Sequence, residues 1–255
     1  MNLRARRRDR ASRTGPELFL LERAFADCLE RLTLIQHSFE SCLLIGCPDP
    51  GWRDRVPASR VEVRDPGPLF AQSAGGEVLI EDFWIPQAKS YDLVLTVGTF
   101  DTVNDLPLAL RLLFEAMRDD ALLIGAVSGG ETLPQLRAAM RAADAVVGIA
   151  SPHIHPRIEA SALSPLLANA GFTMPVVDVD RVEVRYASLR RLIADLRAMG
   201  SSNLLSERPR QALSANAYRA AEEAFAAASS NGRTSEIFEI LHFAAWKPSK
   251  EVTVR

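Results

Sequence analysis

The sequence predicts an α/β fold: a mostly parallel sheet with helices on both faces. Three observations carry that reading. Short continuous apolar runs, such as Cys42-Leu43-Leu44-Ile45-Gly46 and Leu93-Val94-Leu95-Thr96-Val97-Gly98, have the pattern of strands buried on both sides. Stretches with apolar residues at helical spacing separate them. With 255 residues, 47% hydrophobic and 24% charged, the chain can bury the core of one large domain without disulfide or metal staples.

Taken in order, Pro16 opens a helix in which Leu18, Leu21, Phe25, Leu29, Leu32 and Ile35 recur on one face. His37 stands at its end, where a cation suits the dipole. Cys42–Gly46 is the first strand, Arg60–Asp65 the second, Glu77–Ile80 the third and Tyr91–Gly98 the fourth. A helix follows over Leu106–Met117, then a fifth strand over Ala121–Val127 with Ser128-Gly129-Gly130 as its loop. Further helices are expected over about 133–147 and 160–170, the latter stopped by Gly171. Strands alternating with helices indicate βαβ units with right-handed crossovers. The second half differs. Val176–Val184 alternates apolar and charged residues, as an antiparallel strand exposed on one face does. Two helices, around 189–199 and 210–228, precede a last strand over Phe238–Trp246. Residues 1–15 are expected to be a basic flexible arm, and 16–255 a single domain with a helical insertion at about 187–232.

The formal net charge is −2, which gives no global field for nucleic acid. The arm is the exception, with Arg4, Arg6, Arg7, Arg8, Arg10 and Arg13. Several readings are open for it: contact with anionic lipid, with RNA or with an acidic partner; a mitochondrial-type presequence; or a solvated, poorly ordered terminus. No apolar run reaches membrane-spanning length, and no apolar segment of the secretory type follows the arm. The three cysteines, Cys28, Cys42 and Cys47, match no zinc spacing, and Cys28 and Cys42, in apolar stretches, read as buried, reduced thiols.

In an open parallel sheet the ligand sits beyond the carboxyl ends of the strands. Here those ends carry Gly46–Gly51, Asp65–Pro68, Glu81-Asp82, Gly98–Asp101 and Ser128–Gly130. An acid after the second strand can bind both hydroxyls of a ribose, and one after the third can accept an adenine amino group. Amides of a glycine turn can hold a carboxylate. Each feature has an ordinary alternative: Gly46 closing a turn, Asp65 as the turn residue before Pro66, Glu81 and Asp82 as a solvated pair. The ordered set points to a nucleotide-type pocket formed by Gly46, Asp65, Glu81, Asp82, Val97 and Gly98. Asp101 and Glu131 are the candidate general bases, each with a structural alternative. His153 and His155 could pair on a metal, but the flanking prolines suggest a rigid loop, and no metal site is assigned. His242 reads as packed. A nicotinamide-binding enzyme is disfavoured, because no Gly-x-Gly-x-x-Gly follows the first strand.

The stretch Ser90–Leu95 through Val103-Asn104-Asp105-Leu106-Pro107 resembles class I S-adenosylmethionine-dependent methyltransferases after their fourth strand. Leu123–Ala126, Gly129–Leu133, Ser151–Ile154, Ala170–Phe172, Asp178, Asp180, Met199-Gly200, Ser202-Asn203 and Trp246-Lys247 are similar to one branch of that family. The branch holds the biotin-pathway malonyl-carrier-protein methyltransferases and a mitochondrial complex I assembly factor associated with arginine hydroxylation. The resemblance implies a Rossmann-like fold with a mostly parallel seven-stranded sheet and a helical insertion before the last strand. It also implies S-adenosylmethionine as cofactor, with Asp65 on its ribose and Glu81 or Asp82 toward its adenine. A protein or carrier-bound substrate follows, with a complex I subunit as one expected partner. The expected setting is a bacterial cytoplasm, at or near the inner membrane, or the mitochondrial matrix in a eukaryote.

The chain departs from that family at its first motif. Where the family has Asp-x-Gly-x-Gly-x-Gly, this sequence runs Leu44-Ile45-Gly46-Cys47-Pro48-Asp49-Pro50-Gly51. Two prolines fix φ and remove amide donors, and Leu44 removes a carboxylate. Asp101-Thr102 replaces a usual His-Trp pair. The expected function is therefore a methyltransferase, with a catalytically degenerate assembly or binding factor, or an arginine hydroxylase-like protein, as the alternative.

Overall fold

The computed structural model describes residues 2–249. Residue 1 of the expected arm and residues 250–255 of the expected domain lie outside the described residues. Helix α1 (Leu3–Thr14) and helix α2 (Phe19–Thr33) precede strand β1 (Phe39–Ile45). Helix α3 (Trp52–Arg55), strand β2 (Ala58–Asp65), helix α4 (Pro68–Ser73) and strand β3 (Glu77–Val78) follow. Strand β4 (Tyr91–Val97), helix α5 (Leu106–Ala116) and strand β5 (Met117–Ser128) complete the parallel half. Then come helices α6 (Pro134–Val147) and α7 (Ala160–Asn169), strand β6 (Thr173–Tyr186), helices α8 (Leu189–Ala198) and α9 (Ala215–Ala227), and strands β7 (Ser229–Ser230) and β8 (Arg233–Trp246).

The sheet runs β3-β2-β1-β4-β5-β8-β6, with β7 folded back on β8. Strands β1 to β5 are parallel, and β8 is antiparallel to both β5 and β6. The side-chain period of 2 divides β1 between two cores. Leu44 joins Phe25, Trp52, Leu95 and Ile124 on the α2 side, whereas Leu43 and Ile45 join Val94, Leu110, Leu113 and Phe243 on the other. A third cluster packs α6 against α8 and α9, through Leu136, Met140, Leu192, Leu196, Ala221 and Phe225. The strand order reverses between β1 and β4, which places a cleft over their carboxyl ends.

Several boundaries differ from the sequence reading. Helix α2 begins at Phe19 and ends at Thr33, so His37 lies beyond it, with its ring beside Phe39. The third strand keeps only Glu77 and Val78, because the chain turns into a 3₁₀ helix at Glu81–Phe83. The last strand begins at Arg233, five residues early, because Asn231 and Gly232 at positive φ make a tight hairpin with β7.

The basic arm is the main correction. It is a twelve-residue helix packed against α4 and α8. Asn2 caps it by accepting from the Ala5 amide, and Gly15 ends it at φ 86°. Arginine is a good helix former, and Leu3–Thr14 contains neither glycine nor proline. Ala5, Arg8, Asp9 and Ala11 are buried. Asp9 accepts from the Leu69 amide at 3.0 Å and so ties α1 to the first turn of α4.

Candidate functional site

Strand β2 delivers Asp65 to the cleft, where it is fully buried. One carboxylate oxygen accepts from Arg8 Nε at 2.7 Å and from the Gly67 amide at 2.7 Å. The other accepts from Arg8 Nη2 at 2.5 Å and from the Cys47 amide at 2.9 Å. This is a bidentate Arg–carboxylate fork plus two backbone donors, which uses the four acceptor sites of a carboxylate. Burial by itself lowers the Arg8 pKa, but the Asp65 charge and hydrogen bonds more than offset it, so the net shift is upward. The Arg8 guanidinium also lies 5.1 Å from the centre of the Phe70 ring.

One helical turn earlier, Arg4 makes the matching contact. Its Nη1 donates to both oxygens of Glu81 at 2.7 Å, its Nη2 to the Thr99 carbonyl at 2.7 Å and its Nε to Thr102 Oγ1 at 2.9 Å. The i, i+4 spacing puts Arg4 and Arg8 on one face of α1, which therefore lies across the ends of β2, β3 and β4. Approach is close: a Cβ on Gly67 would meet Arg8 Cβ at 2.7 Å.

The first turn is equally committed. Gly46, at φ 84°, donates its amide to the Arg64 carbonyl, and a Cβ there would meet the Val97 carbonyl at 2.4 Å. Gly46 thus serves close packing of β1 on β4. The Gly51 amide donates to Asp49 Oδ1, and Pro48 and Pro50 have no N–H to offer. Trp52 leaves the cleft altogether, stacking on Phe25 with ring centroids 4.2 Å apart and donating to Glu22.

The other expected site residues divide. Val97 is buried in the core, and Gly98 sits beneath the Leu21 side chain with its carbonyl 3.4 Å from Arg8 Nη1. Asp82 is exposed and lines a wider cleft of about 500 Å³ on the Arg4 flank, which Asp65 does not line. Asp101 is ion-paired with Arg157 on nearly buried side chains, so it is not a free base. Glu131 is exposed, and the loop that holds it is pinned by buried glutamates. The Glu131 amide donates to Glu239, while the Gln135 and Leu136 amides at the start of α6 donate to Glu236. Burial raises the Glu236 pKa against those hydrogen bonds. His153 bonds Asp144 at 2.7 Å, and His155 Nδ1 faces the Pro156 carbonyl. The cysteines are buried free thiols, and burial pushes Cys28 and Cys47 up to about 12.

An S-adenosylmethionine molecule does not fit this arrangement with α1 in place. Both Asp65 oxygens are taken, the Glu81 carboxylate is taken, the cavity between Gly98, Asp101 and Ser128 measures only about 70 Å³, and the cleft of about 500 Å³ on the Arg4 flank does not reach Asp65. Small-molecule pockets are typically about 300–1,000 Å³. The arginines that close the cleft were missed by sequence reasoning; the one available signal was the Arg4-x-x-x-Arg8 spacing.

No protein-family model matches the chain. It is 35% identical over 179 residues to the arginine-hydroxylase NDUFAF5, mitochondrial, of Danio rerio, a match covering 67% of this chain and 54% of that protein. It is 27% identical over 266 residues to the malonyl-[acyl-carrier protein] O-methyltransferase of Laribacter hongkongensis, covering 94% and 87%. The match spans about half the length of the fish protein and of its mouse counterpart, 54% and 50%. Among solved structures, the YcgJ protein of Bacillus subtilis superposes with a TM-score of 0.58 at 10% identity, over 88% of this chain and all of that one. Phosphoethanolamine N-methyltransferase 2 of Haemonchus contortus, solved with S-adenosylhomocysteine, does so with a TM-score of 0.52 at 12% identity, over 88% and 53%. These two show the shared fold. With the strand order and the curated relatives, they lead to one conclusion: the chain belongs to the class I methyltransferase-fold family, near the branches of the arginine hydroxylases and the malonyl-carrier-protein methyltransferases.

Proposed function

We propose that this protein is a methyltransferase-fold binding factor for a protein partner in respiratory complex I assembly, with the adenosine end of its cleft closed by its own α1. The observation that carries this is the bidentate seat of Arg8 on Asp65. Any ribose would have to displace a buried, four-fold satisfied ion pair and replace each of its hydrogen bonds. The altered first turn agrees, since its proline positions provide no amide for the ligand carboxylate. The likeness to the assembly-factor branch supports the partner. The protein would then act where complex I is assembled, at the cytoplasmic side of a bacterial inner membrane or in the mitochondrial matrix. No helix of the described residues is long and apolar enough to cross a membrane.

One observation favours a second reading, S-adenosylmethionine-dependent methyl transfer to a protein or carrier-bound substrate. Asp65 and Glu81 persist at the strand ends and face the cleft. If α1 withdrew, Asp65 would hold the ribose hydroxyls and Glu81 the adenine edge, and the bound sulfonium would supply the electrophilic methyl group. With Arg8 seated, no such step follows.

Calorimetric titration of the full chain with S-adenosylmethionine and S-adenosylhomocysteine separates the two. The expected result is no heat from either ligand with the native chain. Micromolar binding lost in Asp65→Asn would overturn the closed reading and support the methyltransferase one. The double variant Arg4→Ala/Arg8→Ala tests the closure itself, since binding restored there assigns the exclusion to α1. Affinity capture should recover a respiratory-chain subunit; recovery of acyl carrier protein alone would overturn the partner.

A further inference from the structure

A second cavity, of about 280 Å³, opens between α1, α6, α8 and the segment leading to α9. Its lining is chemically one-sided. Arg7, Arg157, Arg197 and Arg208 project to it, joined by His153 and His155, and it has no aspartate or glutamate. Asp101 is held by Arg157, and Asp144 is held by His153 without lining the cavity. Apolar side chains share the lining: Leu133, Leu136, Met140, Ile193, Leu196 and Leu213.

The cations are undercompensated. Among the described residues, Arg7, Arg197 and Arg208 enter no ion pair, and Arg208 donates only to the Leu205 carbonyl. The Nε atoms of Arg7 and Arg157 are buried without a hydrogen-bond partner. A buried, unpartnered guanidinium N–H costs free energy that a ligand acceptor would recover. Desolvation, then repulsion from Arg208, Arg10, Arg197 and Arg6, lowers the Arg7 pKa, the direction expected of a cation facing other cations. A concave site lined by one sign of charge focuses its field on the opposite charge.

We propose that this cavity binds a small amphiphilic anion, an apolar chain ending in a carboxylate or phosphate. Arg7, Arg197 and Arg208 hold its head, in the planar forks that suit such oxyanions, while Leu136, Met140 and Ile193 receive its chain. This assignment rests on the closed reading, because Arg7 belongs to α1, whereas Arg197 and Arg208 lie outside that helix and touch neither Asp65 nor Glu81.

The test uses the full chain and four probes of equal length: octyl phosphate, octanoate, octanol and octylammonium, followed by calorimetry and amide chemical shifts. At least one of the two anions should bind, and the alcohol and the amine should bind at least about tenfold more weakly. The better anion identifies the head group. Arg197→Gln and Arg208→Gln, neither of them core residues, should each weaken that anion by about tenfold, and Arg233→Gln, on an exposed arginine outside the cavity, should not. Unchanged melting temperatures show that the variants fold. Equal binding of octanol and the anions, equal weakening by Arg233→Gln, or no binding of either anion at millimolar concentration would overturn the proposal.

Discussion

At the β2–β3 end of the cleft, Arg8 and Arg4 meet Asp65 and Glu81; at the α6–α8 end, Arg7, Arg197 and Arg208 meet no carboxylate among the described residues. A single helix supplies arginines to both ends. Position along α1 decides the difference: residues 4 and 8 share a face, and residue 7 falls roughly 100° away from residue 8. A guanidinium matched to a buried carboxylate closes a site, because each group satisfies the other's hydrogen bonds. A guanidinium facing other guanidiniums leaves donors and charge for something not yet bound. The lesson is that a basic segment can be internal structure at one residue and recognition surface at the next.

The largest effect that would test this contrast is removal of Arg8. Arg8→Leu leaves Asp65 buried and uncompensated except for two amides, and should destabilise the protein by about 3–5 kcal/mol in urea or guanidinium unfolding. Arg8→Leu/Asp65→Asn should lose less than the two single variants summed, the signature of direct coupling. If Arg8→Leu were neutral, α1 would not be closing the cleft. Arg4→Leu removes hydrogen bonds to the buried Glu81 carboxylate and should cost about 1.5–3 kcal/mol.

A smaller effect gives a pH reference outside both ends. His242 is buried on β8, and neither ring nitrogen is hydrogen-bonded. Its Nδ1 lies 3.1 Å from Asp27 without hydrogen-bond alignment, while Arg31, Asp180 and Asp178 add weaker charge effects. Desolvation outweighs the Asp27 charge and lowers the His242 pKa below its ordinary value. The unfolded chain therefore takes up a proton first as pH falls. This contribution to stability is fully present above about pH 6.5 and declines below it, toward the depressed folded pKa. His242→Phe should flatten that part of the stability–pH curve, and an unchanged curve would refute the assignment. Smallest of all, Arg197→Gln should alter stability by no more than about 0.5 kcal/mol, because nothing in the fold depends on its charge. A substantial loss would make the open end structural, and the contrast between the ends would disappear.

The parallel core was legible because β1 and β4 are buried on both faces, so their apolar runs are nearly continuous. The amphipathic α2 was legible for the complementary reason, although its ends moved by two or three residues. Asp65 and Glu81 were found as cleft residues because they follow strands, yet what each binds was not visible. Val97 and Gly98 were correctly placed at a strand end, but packing covers them. Asp101 looked like a base until Arg157, 56 residues away, was brought against it.

The sequence by itself determined the alternation of strands and helices and the proline-containing first turn, because periodicity and φ restrictions act over a few residues; the family came from the resemblance of its motifs. Only the tertiary structure decided what the amino-terminal arginines do. Arg8 and Asp65 are 57 residues apart and Arg4 and Glu81 are 77 apart, so no local pattern pairs them. The choice between a solvated arm and a seated helix rests on whether buried carboxylates lie within reach, which chain folding alone arranges.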